Sequence, residues 1–271
     1  MDRPTVDRPT VDRSPRVHRY GDGPDRFLEL TLPDGGAPAP VAVVVHGGFW
    51  RSAHGVELAR PLAADLAGAG FAAVAVEYRR VGAGGGWPTT LEDVAAAVDS
   101  LPGLPEAARL DLSDVTVIGH SAGGHLAAWL AGRAQLPDGA PGAGPRVRVT
   151  AAVLQAGVLD LELADREWLG DGAVRAFLGG SPAELPQRYA AADPVRLLPT
   201  GAAVLCVHGS DDDVVPGNQS ERYAQAAAAA GDAVEVRVVP GDHMTVIDLT
   251  SSAWGIARAW LARGRPRAPY A

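Results

Sequence analysis

The chain has 271 residues, 47% of them hydrophobic, and a formal net charge of −8. That length fits one α/β domain with a sizeable core, and the acidic balance argues against partners such as nucleic acid or an anionic membrane surface. The 24 basic residues are all arginine, scattered rather than clustered, and a single cysteine rules out an intramolecular disulfide framework.

Residues 1–19 repeat DRPTV, DRPTV and DR before Ser14-Pro15. Proline, charge and the lack of an apolar pattern predict a disordered arm, leaving residues 20–271 as a single domain. Phe27 to Leu32 alternates as a first strand, and Pro33-Asp34-Gly35-Gly36 turns the chain. Val41 to Val45 is a continuous apolar run, as in a strand buried on both faces, and it ends in His46-Gly47-Gly48-Phe49-Trp50. A helix is predicted from Pro61 to Ala69, with Leu62 and Leu66 on one face and Gly70 as its stop; Phe71 to Val76 is the next buried strand. The loop Gly82 to Gly86, closed by Trp87-Pro88, lacks the Lys-Ser/Thr ending of a phosphate loop and the spacing of a dinucleotide fingerprint. Thr90 is the predicted N-cap of a helix over Leu91 to Leu101.

The chain is organised around Val115 to Ala131, VTVIGHSAGGHLAAWLA. A β-branched run meets Gly119-His120-Ser121-Ala122-Gly123, and a helical segment follows at once. The two glycines let strand and helix backbones crowd together, so that the turn forces the Ser121 hydroxyl outward. The helix N-terminus leaves the Ala122 N–H free to face whatever Ser121 attacks.

Downstream, Pro137 to Pro145 is a surface loop and Val147 to Leu154 a strand. Residues 160–199 carry short amphipathic pieces broken by Gly179-Gly180, Pro182, Pro186 and Pro194, the pattern of a lid insertion. Ala202 to Val207 and Val234 to Val239 are the last strands; Ser220 to Ala230 and Ser252 to Leu261 are helices. Cys206, inside an apolar run, is expected to be buried and inert. The alternation predicts an α/β fold, a mostly parallel sheet with helices on both faces. With no leader-like or membrane-length apolar segment in view, a cytoplasmic protein is expected.

A serine attacks only when a base takes its proton, and the base needs a group that fixes its tautomer. His243, in Pro240-Gly241-Asp242-His243 after the last strand, is the candidate base. His46, His120 and His125 flank turns or the elbow helix and read as supporting groups; His208 reads as a backbone cap, and His18 and His54 as surface residues. The acid should follow Val207, where Asp211-Asp212-Asp213 offers three choices, of which Asp212 is assigned. Three consecutive side chains do not converge on one ion, so no metal or other cofactor is expected. The order Ser121, Asp212, His243 is the hydrolase order. Oxyanion donors are assigned to Gly48, Phe49 and Ala122. Trp50 and Trp87, on loops near the mouth, are candidate substrate-pocket residues, joined by Trp168 and Phe177 of the insertion.

On these residues the chain resembles the α/β-hydrolase superfamily from about residue 25 to 265. It is most similar to esterases and lipase-like enzymes that share HGG-type oxyanion loops with hormone-sensitive-lipase-like esterases. HGGFW also resembles the HGGxW signature of arylformamidases, as do GHSAGGHLA and PGDHMTVID. The resemblance places the acid three residues after Gly209, at Asp212. Phe49 stands where an HGGG loop has its third glycine, which tilts the resemblance toward formamidases or small-ester hydrolases. It implies a cofactor-free serine hydrolase of small, short-acyl carboxylic esters. The alternatives are an N-formyl arylamine amidase and, in another class, a catalytically silent ligand-binding member of the superfamily. The partner implied is a small-molecule ester or amide.

Overall fold

The computed structural model describes residues 14–263. Its strands are β1 (Arg16–Arg19), β2 (Phe27–Thr31), β3 (Ala39–Val45), β4 (Ala72–Val76), β5 (Leu110–His120), β6 (Ala151–Gln155), β7 (Ala203–Gly209) and β8 (Val234–Val239). The helices are α1 (Arg60–Gly68), α2 (Thr89–Ser100), α3 (Ala122–Gly132), α4 (Leu161–Arg166), α5 (Leu169–Leu178), α6 (Pro186–Ala192), α7 (Asn218–Ala230) and α8 (Ser252–Ala262). Together the strands form one sheet in the order β1-β2-β4-β3-β5-β6-β7-β8, antiparallel at β1/β2 and β2/β4 and parallel from there on.

The strands AAVAV, AAVLQ and AVLCVHG are buried at every position, as parallel strands covered on both faces must be. Alternation then sorts their side chains into two layers. Val41, Val43 and Val45 face a layer that holds Val98, Leu126, Trp129 and Tyr223, under α2, α3 and α7. Ala42 and Val44 face the other, which holds Leu62, Leu66, Trp254 and Trp260, under α1 and α8. All parallel strands therefore deliver their carboxyl ends to one rim. Cys206 is buried, and that burial pushes its thiol up to about 12.

Three local expectations are corrected. Arg16 to Arg19, placed in the disordered arm, pairs with β2 from Arg16↔Leu30 to Arg19↔Phe27; an edge strand needs a backbone partner, not an apolar pattern. Arg16 donates to Glu106 at 2.9 Å. The rest of that arm, residues 1–13, lies outside the described residues. Thr90 is not a cap: Pro88 holds that position, and the Thr90 hydroxyl instead accepts from Gly86 N (2.9 Å) and donates to Arg79 O (2.6 Å). Val147 to Val149 is not strand, because the amides of Arg146 and Val147 donate to the Asp99 carboxylate, and β6 begins at Ala151. Residues 160–199 form three short helices whose Leu161, Val174, Phe177 and Tyr189 are buried in the same layer as α3, so the insertion is packed in place as part of the core.

Candidate active site

Ser121 sits between β5 and α3 with φ 56 and ψ −121, a conformation that a side chain strongly disfavours. Close backbone packing holds it there. A Cβ on Gly119 would lie 2.0 Å from Gly123 O, and one on Gly123 would lie 2.1 Å from Val45 O. The Ser121 amide donates to Gln155 O at 2.9 Å.

The loop after β3 closes over this elbow. A Cβ on Gly47 would meet His120 O at 2.8 Å and the Ser121 Cβ at 3.0 Å. Gly48, Phe49 and Trp50 then take positive φ in succession (112, 50 and 56). Among the described residues, the amides of Gly48, Phe49 and Ala122 donate to no backbone acceptor outside the helices and strands. Trp50 does not line the mouth, as expected from sequence, but is fully buried. Its ring stacks on Phe177 at 4.7 Å, and its Nε1–H donates to His125 Nδ1 at 3.2 Å. His125 therefore carries its proton on Nε2 and gives it to Ala192 O; burial pushes its pKa down to about 4. Trp87 is half-buried, and its amide donates to Phe177 O at 2.8 Å. Phe49 packs against Gly170 of the insertion, and Arg51 donates to Gly170 O at 2.6 Å. Trp168 stands exposed.

Beneath the loop lies a polar cluster that the sequence reading missed. His46 Nε2 is 3.0 Å from Glu77 Oε1, and that carboxylate also accepts from the amides of Val56 and Tyr78 and pairs with Arg80. Burial would raise the Glu77 carboxyl, but these partners outweigh it and hold it below its ordinary value. The Tyr78 ring stacks on His46 at 4.3 Å, and its hydroxyl donates to His46 O. The available signal was Glu77-Tyr78-Arg79-Arg80, a charged run directly after a strand buried on both faces.

On the opposite side, His243 Nδ1 lies 2.8 Å from Asp212 Oδ2. The other Asp212 oxygen accepts from the amides of Val214 (3.0 Å) and Val215 (2.8 Å). Burial alone would raise this carboxyl. The hydrogen bonds from His208, His243 and Val215 prevail and hold it well below the usual carboxylate range. Asp211 and Asp213 are exposed, while the Asp212 side chain is enclosed. His208 does more than cap: its ring bridges Ser220 Oγ and Val215 O, each at 2.8 Å, and lies 3.4 Å from Asp212. His120 joins the two halves, since its Nε2 is 2.9 Å from His243 O. Among the described residues, no hydrogen bond links the Ser121 hydroxyl to His243. Of the outlying histidines, His18 Nε2 lies 3.2 Å from Glu106, and His54 is exposed.

Residues 28–226 match the BD-FAE family. The chain belongs to that family. Its match contains the HGG loop, the elbow and the Asp212 loop and ends before His243. The chain of this BD-FAE member is 30% identical over 235 residues to esterase LipC of Mycobacterium tuberculosis, covering 79% of this chain and 56% of LipC. It is also 30% identical over 213 residues to esterase LipQ of the same organism, covering 77% of this chain and 50% of LipQ. It thus spans about half the length of these curated relatives. Among solved structures, a bifunctional GH43-CE protein of Bacteroides eggerthii superposes with a TM-score of 0.79 at 26% identity, over 93% of this chain and 35% of that one. Native esterase 2 of Thermogutta terrifontis gives 0.72 at 25% identity, over 94% and 91%. The fold is that of the α/β-hydrolases.

Proposed function

We propose that this BD-FAE family member is a carboxylic ester hydrolase that works through Ser121, His243 and Asp212. The observation that carries the reading is the 2.8 Å contact between His243 Nδ1 and an enclosed, ionised Asp212, on a loop whose His243 carbonyl lies 2.9 Å from His120, the residue before the strained elbow serine. With Nδ1–H donating its hydrogen bond to Asp212, His243 keeps a lone pair on Nε2. Ser121 Oγ attacks the ester carbonyl carbon as that nitrogen takes its proton. Charge gathers on the carbonyl oxygen, where the Ala122, Phe49 and Gly48 amides donate. The C–O bond to the alcohol breaks, and the alcohol leaves with the proton held by His243. A water then repeats the cycle on the acyl-enzyme and releases the acid. The relatives named esterase support the same chemistry.

The acyl group is proposed to be short. Phe49 rests on the insertion at Gly170, and Trp87 is tied to Phe177, so aromatic groups and a packed insertion crowd the rim. The test is a panel of aryl esters from acetyl to chains beyond about eight carbons, with an N-formyl arylamine beside them. Ser121→Ala and Asp212→Asn should each lower kcat by about 10⁴ or more, whereas Asp211→Asn and Asp213→Asn should stay within roughly tenfold. A Ser121→Ala protein that keeps its activity and its covalent fluorophosphonate label would overturn the assignment. A formamide turned over faster than every ester would replace the reaction.

A further inference from the structure

His120 and Gln155 are register partners at the carboxyl ends of β5 and β6. Cross-strand partners share a face of the sheet, and both side chains here reach the loop that carries His243. The His120 ring approaches His243 O at 2.9 Å through Nε2. Gln155 donates its side-chain N–H to Val246 O. The loop is therefore held at two carbonyls three residues apart by two side chains from neighbouring strands. The same pair touches the nucleophile, since His120 precedes Ser121 and the Gln155 carbonyl accepts the Ser121 N–H.

A carbonyl oxygen only accepts, so His120 must carry its proton on Nε2 and leave Nδ1 bare. The ring is enclosed, with its centroid 4.5 Å from that of His243, and Nδ1 faces the backbone of Gly47, where an added Cβ would come within 3.1 Å. Burial keeps His120 neutral and pushes its pKa down to about 3; the charged or titratable groups facing it are His243, Asp212 and His208. A cation beside the base would oppose formation of the His243 imidazolium, whereas a neutral donor to its backbone does not.

We propose that His120 and Gln155 form a cross-strand clamp of positioning residues that sets where the general base stands relative to Ser121. The proposal rests on the reading of Ser121 and His243 given above. It assigns a role to two side chains that do not touch the substrate.

The test compares His120→Gln, which returns an N–H to the Nε2 position, with His120→Asn, which is too short to reach His243 O, and with Gln155→Leu. His120→Asn and Gln155→Leu should lower kcat on the order of 10- to 100-fold with KM nearly unchanged, and His120→Gln should recover most of the loss. In the ligand-free protein, the downfield proton resonance of His243 Nδ1–H should persist in His120→Gln and broaden or vanish in the other two. Nitrogen NMR of the wild type should show His120 as the neutral Nε2–H tautomer from pH 5 to 9. A His120 that titrates in that range, or that carries its proton on Nδ1, overturns the proposal even where a variant fails to fold. So does a folded His120→Asn with unchanged kcat and an unchanged His243 resonance. The resonance does not depend on turnover, so failure of the ester reading, seen as an active His243→Ala, is distinguishable from failure of the clamp.

Discussion

Two regions of this molecule hold their backbone in conformations that side chains avoid, and they do so in different ways. At the carboxyl rim of the sheet, Phe49, Trp50, Ser121 and Ala156 have positive φ; in the insertion, Trp168 and Asp171 do, with Gly170 and Gly172 between and beside them. What surrounds the glycines separates the two. At the rim a Cβ on Gly123 or Gly119 would meet main-chain atoms at about 2 Å, and one on Gly209 would meet Gly241 O at 2.4 Å. In the insertion a Cβ on Gly170 would first meet the Phe49 ring, at 2.7 Å, and one on Gly172 the Trp168 ring, at 2.9 Å. Main chain hydrogen-bonded within a sheet and packed under a helix cannot move aside, but a ring can turn. Strain at the rim is therefore imposed by the whole sheet, and strain in the insertion by a local turn.

The most severe way to break this contrast is Gly123→Ala. The added carbon falls between β3 and α3 and forces them apart, so a loss of roughly 4–5 kcal/mol or outright failure to fold is expected in denaturant titration. A soluble variant of near-normal stability would mean that the rim has slack.

The pH dependence of stability sharpens the contrast next. Asp193, buried in the insertion, is pushed up to about 7 by that burial. The folded state then holds a proton that the unfolded chain releases near its ordinary value. Stability should fall as pH rises from about 4 to 7, by on the order of 4 kcal/mol, and level off above. His120 at the rim acts in the opposite sense. Its folded pKa of about 3 lies below the unfolded value, so stability should fall as pH drops below about 6.5. Melting curves should show Asp193→Asn flattening the upper limb and His120→Gln the lower. Identical profiles for wild type and both variants would refute the assignment of the limbs.

The mildest expected effect is that of Gly170→Ala. A φ of 56 costs a residue with a side chain about 1–2 kcal/mol, and the Phe49 ring can rotate away. Stability should fall by that amount, and KM should change more than kcat because Phe49 borders the site. A loss as large as that of Gly123→Ala would erase the distinction.

The same difference explains what could be read from the amino-acid order. β3, β4 and β7 were legible as unbroken apolar runs, and the elbow as two glycines around a serine, because burial on both faces and close main-chain approach leave few residue types to choose from. For the acid, the resemblance pointed to Asp212, three residues after Gly209, and of the three adjacent aspartates it is the one whose carboxylate meets His243. Trp50 was misplaced because a loop aromatic beside a functional glycine pair reads as a lining residue, while here it fills the core against Phe177. β1 was missed because an edge strand needs only backbone pairing, and the Glu77 cluster because its partners come from separate segments of the chain. The clamp residues His120 and Gln155 were invisible for the same reason, since nothing local relates position 155 to position 246.

That last separation has a consequence for the life of the chain. His120 meets a residue 123 positions later, Gln155 one 91 later, and Asp212 one 31 later. Contacts of such span form late, after the loops between them have closed. The elbow emerges during synthesis long before the proposed base, so on the proposed mechanism an unfinished chain carries a serine that nothing activates. In refolding, helical signal should return ahead of esterase activity, and the appearance of turnover should report closure of the final strand.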